Sequence, residues 1–157
     1  MTEEIIDTPV TDEPTPEPTP VVSTSVLNLA VESVITEINK MTNFADMTRG
    51  ALGIGNGLVC EIAPSTASEV YYDKNSFIPL TLAMNGKHSD LRTLTDTMNN
   101  IIDTMTRAKS YPSGNGWEIV DITCGNLPRV IGREDNNLWL VAGDLIVKIY
   151  RKDETTV

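Results

Sequence analysis

Residues 77–111 read FIPLTLAMNGKHSDLRTLTDTMNNIIDTMTRAKSY, and the period of their apolar side chains changes once along the way. Ile78, Leu80, Leu82 and Met84 fall on one face, and Phe77, Pro79 and Thr81 on the other. That alternation predicts a strand from Phe77 to Met84. Asn85-Gly86 reads as its end, and Pro79, which has no N–H to donate, is expected at an edge or a bulge. Ser89 is a helix-capping residue type. Beyond it Leu91, Leu94, Met98, Ile101, Ile102 and Met105 recur at helical spacing, which predicts a helix from Asp90 to about Lys109. Asp90 near its start and Arg107 and Lys109 near its end suit the helix dipole.

Upstream, Leu27, Val31, Val34, Ile35, Ile38 and Met41 form a second helical stripe. This helix is expected to be capped within residues 23–25 and to stop near Asn43. Gly50, Gly53, Gly55 and Gly57 suggest a loop or tight turn, followed by a strand at Leu58–Ala63 that Pro64 ends. Val70–Tyr72 reads as a short strand before a turn at Asp73-Lys74-Asn75. Downstream, Tyr111-Pro112 closes the second helix and residues 113–116 form a flexible turn. Strands are expected at Trp117–Cys124 and Arg129–Gly132, interrupted by Gly125-Asn126-Leu127-Pro128. Asp135-Asn136-Asn137 reads as a hairpin tip, and the last strand as Leu138–Arg151 with a bulge at Gly143-Asp144. This order implies an α+β fold: two layers, a mainly antiparallel sheet and two helices packed on one face.

The 157 residues suffice for one domain, expected at 24–151, with a frayed C-terminus at 152–157. Residues 1–23 read as an acidic Pro-rich arm. They hold five of the nine prolines, and the first 20 residues carry six acids and no base. So few apolar groups cannot offset the entropy of ordering, so the arm is expected to be extended or disordered, as a solubilising tail or a segment that orders on a neighbouring subunit. The net charge is −10, but the rest of the chain holds 16 acids and 12 bases, so most of the imbalance lies in the arm. No overall basic patch favours simple binding to a phosphate backbone. No apolar run approaches the roughly 20 residues that span a bilayer, and an acidic, Pro-rich start is the reverse of a signal peptide. Cys60 and Cys124 lie far apart in predicted strands and read as buried thiols of a cytoplasmic protein.

The chemistry-bearing residues are few. Gly53-Ile54-Gly55-Asn56-Gly57 lacks the spacing of a dinucleotide loop and precedes a strand rather than a helix, so it reads as a loop. His88 is the only histidine, and it has no second ligand or nucleophile at a useful spacing. Asp96 and Asp103 sit on the polar side of the second helix, Asp96 four residues after Arg92, as a solvated face or a subunit contact. Trp117 and Trp139 are expected in the core or at an interface. Arg129, Arg133, Glu134 and Asp135 surround the hairpin before the last strand, either as charges that discourage edge pairing or, with Trp139, as contacts in an oligomer. No catalytic, cofactor-binding or metal-binding residue is expected.

From Phe77 onward the chain resembles a family of minor capsid proteins, similar to tail terminators, of siphophages and prophages of Gram-positive hosts. The carriers are FIPLTLAMNGKH at 77–88, LRTLTDTMNNI at 91–101, Trp117-Glu118-Ile119, IGREDNNLWL at 131–140 and LIVKIY at 145–150. The likeness spans about Val26–Arg151, and the acidic arm departs from it. The resemblance implies a non-enzymatic structural protein of the virion, made in the host cytoplasm. Such a subunit forms a ring, typically a hexamer, that caps the tail tube. Its partners would be further copies of itself, the major tail protein and the head-completion or connector protein. DNA would pass through the lumen without specific binding, helped by an acidic wall. The alternatives are another neck component, such as a connector or stopper, and a cytosolic non-enzymatic ligand-binding domain.

Overall fold

The computed structural model describes residues 25–65, 68–71 and 73–152. The acidic arm, the last residues of the chain and the predicted strand end at Tyr72 lie outside the described residues, as do two of the three candidate caps of the first helix. The element order is α1 (Val26–Asn39), β1 (Met47–Arg49), β2 (Gly57–Ala63), β3 (Glu69–Val70), β4 (Ser76–His88), α2 (Leu91–Thr106), β5 (Ser113–Gly114), β6 (Trp117–Arg133) and β7 (Trp139–Arg151). The fold is α+β. The sheet runs β1-β2-β4-β7-β6-β5, with β3 also paired to β4. Every pairing is antiparallel except β1 with β2.

The inward row of β4 is Leu80, Leu82, Met84 and Gly86, and it pairs in register with Val147, Leu145, Gly143 and Val141 of β7. The apolar stripe of α2 closes on this row and that of α1 packs beside it against β1 and β6, and Val34, Ile38, Leu94, Met98, Ile101, Leu82, Met84 and Leu145 are all fully buried in one cluster. Burial of this kind contributes roughly 25 cal/mol per Å² of apolar surface. It must hold α1 in place, because β-branched residues lower that helix's own propensity.

Several expectations are corrected. Asn85-Gly86 does not end the strand, which pairs with β2 and β7 through to Lys87 and His88. Glycine is needed there for packing: a Cβ on Gly86 would stand 2.5 Å from Leu94 Cδ1 and 3.1 Å from Leu58 Cδ2. The missing side chain lets α2 lie close against the sheet. The cap of α2 is Asp90 rather than Ser89, and its carboxylate accepts from Thr93 N at 3.1 Å and from Thr93 Oγ1. His88 Nδ1 in turn accepts the Asp90 N–H at 2.9 Å, and its ring meets Phe44 edge to face. Helix α2 ends at Thr106, and α1 ends at Asn39 rather than near Asn43.

Pro79 lies in a central strand, but β2 stops pairing at Thr81 and β3 starts at Phe77, so one side of the strand is open at the proline. The segment 117–133 is one strand instead of two. Gly125 to Pro128 is accommodated because β6 carries extra residues as bulges against a continuous β7. The bulge expected at Gly143-Asp144 therefore belongs to the opposite strand. Just before the glycine-rich stretch lies β1, which the sequence reading missed. The Asn39 side chain donates to Met47 O (3.0 Å) and accepts from Met47 N (2.7 Å), acting as a substitute backbone partner for the first residue of β1.

Two outcomes test this packing. Gly86→Ala should lower unfolding free energy by about 1–3 kcal/mol, the usual cost of overpacking a core, read from urea denaturation. The Thr93 hydroxyl and amide, with smaller help from the Arg92 amide and then His88, hold the Asp90 carboxyl below its ordinary value. The cap's contribution is thus present above the unfolded carboxylate pKa and fades as pH falls through the lower folded value. Asp90→Ala should melt below wild type at neutral pH, with the gap closing on acidification, followed by circular dichroism.

Candidate functional site

The residues expected at an oligomer contact gather around the β6–β7 hairpin, but they do different things. The Arg133 guanidinium lies 5.0 Å over the Trp139 ring, a cation–π contact on a half-buried indole. Trp139 packs against the core cluster from its edge, while Trp117 is buried within it. Asp135 and Arg129 are exposed, and Asn137 turns the hairpin with φ of 64°. Glu134 is bound inward instead: its Oε1 accepts from Lys87 Nζ at 2.8 Å.

Lys87 is the residue the sequence reading missed. It follows Asn85 on the sheet face away from the helices and is only 5% exposed. Its ammonium also donates to Gly53 O at 2.9 Å, and Asn136 Nδ2 donates to Ile54 O at 3.3 Å. One buried cation thus ties the glycine-rich loop and the hairpin tip to the end of β4. A buried ammonium is tolerated because a carboxylate and a carbonyl replace its lost hydration. The signal in the sequence was the alternation itself, which places Lys87 beside Asn85 once the strand is carried past Gly86.

Beside this clasp, β6 forms an open sheet edge. β5 covers it only at Trp117 and Glu118, and Pro112 O accepts the Ile119 N–H, so among the described residues no strand pairs the outer side from Val120 to Arg133. Leu127, Val130 and Ile131 are 70%, 47% and 59% exposed. These are apolar side chains on an unpaired edge, a kind of surface that folded proteins usually cover or blunt.

Other surfaces are plainer. On the face away from the helices, Phe77, Pro79, Ile146 and Lys148 line an open groove of about 280 Å³. Lys148 Nζ lies 4.7 Å over the Phe77 ring, and Tyr150 and Tyr71 pack beside that ring. Arg92 and Asp96 pair at 3.8 Å on exposed α2, as do Arg107 and Asp103 at 2.6 Å, and both pairs are well solvated. Cys60 is buried, and burial pushes its thiol up to about 11, partly offset by Arg49. Cys124 is half-buried rather than fully buried, and both cysteines are free. Among the described residues no three His, Cys, Asp or Glu side chains converge, and no helix is long and apolar enough to cross a membrane. No protein-family model and no curated protein matches the chain.

The clasp makes a checkable prediction. Glu134→Ala leaves the buried Lys87 ammonium with one carbonyl partner and should cost about 1–3 kcal/mol, below the usual loss for a fully buried pair because Glu134 is partly solvated. Adding Lys87→Met should recover part of that loss in urea denaturation, since no uncompensated charge then remains.

Proposed function

We propose that the chain is a structural virion subunit, a tail terminator that closes into a ring on the tail tube and joins it to the head connector. The observation that carries this reading is the long open edge of β6 with Leu127, Val130 and Ile131 in solvent. The resemblance of residues 77–150 to siphophage minor capsid proteins supplies the class of assembly. A ring requires a heterologous contact whose rotation closes, so the patch on one copy meets a different patch on the next. The β6 edge and the hairpin around Arg133 and Trp139 form one side of that contact. The cap acts by shape, with one ring face on the tube and the other on the connector. An acidic subunit suits a lumen through which DNA slides, because attraction to phosphate is electrostatic.

Sedimentation of the purified chain, alone and with isolated tail tubes, tests the proposal. The expected result is a closed species near six times the 17.2 kDa chain mass, formed free or on the tube and seen at the tube end by electron microscopy. A chain that stays monomeric in both conditions overturns it.

A further inference from the structure

Residues 3–7 read Glu-Glu-Ile-Ile-Asp, and residues 129–133 read Arg-Val-Ile-Gly-Arg. Each is an apolar pair flanked by like charges, and the two signs are opposite. In the folded body this second segment is the open end of the β6 edge. Val130 and Ile131 are 47% and 59% exposed between exposed Arg129 and Arg133. Ile131 is the extra residue of a bulge between Val130 and Gly132, which sets it outward beside Val130. Arg133 lies over the Trp139 ring, but neither guanidinium has a carboxylate partner among the described residues, and residues 3–7 carry the complementary charge pattern.

We propose that residues Glu3–Asp7 of a second copy dock along the Arg129–Arg133 edge. Ile5 and Ile6 cover Val130 and Ile131, and Glu3, Glu4 and Asp7 meet Arg129 and Arg133. Charge pairs around an apolar centre fix register and exclude unlike partners, which suits a contact repeated between identical subunits. Residues 8–25 separate the docking segment from α1, and 18 residues reach roughly 60 Å when extended at about 3.3 Å each. A span of that length can reach the edge of a neighbouring copy, and the isotope-mixing experiment below separates that docking from docking on the chain's own edge. The arm would then lock a contact already made by the folded bodies and raise its effective concentration. The inference rests on the self-assembly proposed above only in requiring a second copy.

The test uses the full-length chain carrying Ile6→Cys, Ile131→Cys and Cys124→Ser. Cys60 stays out of the reaction because it is fully buried. Copies labelled with light and heavy nitrogen are mixed dilute, concentrated together and oxidised with diamide. The expected product is a peptide pair joined through positions 6 and 131 that combines the two isotopes. Same-isotope pairs alone, or no such pair, overturn the proposal. Arg129→Glu with Arg133→Glu should cut the linked fraction several-fold, and adding Glu4→Arg with Asp7→Arg should restore it. Failure to restore, with circular dichroism unchanged, also overturns it. Sedimentation of the unlinked wild type separates the two readings: an assembled chain without the mixed pair removes the arm alone, and a chain that never assembles removes the ring.

Discussion

The approach of α2 to β4 at Gly86 is the contact on which the rest of the fold depends. With no side chain at that position, Leu94 and Met98 settle directly on the strand, and Leu58 of β2 closes in from beside it. The helix is then near enough for its whole stripe, from Leu94 to Met105, to enter one core with β4, β6 and β7. Its first turn is fixed at the same end by Asp90 and Thr93, and His88 joins that cap to the strand. Packing of this density tolerates little change in volume, so one missing Cβ sets the spacing of both layers.

The long periodic elements were legible in the sequence, and the local exceptions were not. The stripe of α2 and the two faces of Phe77–Met84 follow from spacing alone, and the structure keeps both. Asn85-Gly86 misled because a turn dipeptide is a local signal, whereas the demand for glycine at position 86 comes from a helix that packs there only in the finished fold. Gly125 to Pro128 misled for a related reason: β7 offers a continuous partner, and an edge strand can bulge around residues that would break a central one. β1 has three residues and no pattern of its own, and its first residue is held by the side chain of Asn39.

The candidate site was legible by half. Arg133, Glu134 and Trp139 stand out as charges and an aromatic around a hairpin tip. Their division of labour did not, because Glu134 answers to Lys87, 47 positions earlier, which came into view only when β4 was carried to its full length. The exposed Leu127, Val130 and Ile131 were hidden for the opposite reason. A run predicted as part loop and part short strand gives no hint that it forms one edge without a neighbour.

The repeated bulges of β6 bear on how such an edge survives in a crowded cell. A straight, flat strand with this much apolar surface would template other chains without limit and grow into fibrils. Extra residues near Val120, Gly125 and Ile131 break the even spacing of its backbone groups, and Pro128 withholds one donor altogether. Such a border is a poor template for endless stacking, so greasy side chains can be displayed there with less risk of precipitation.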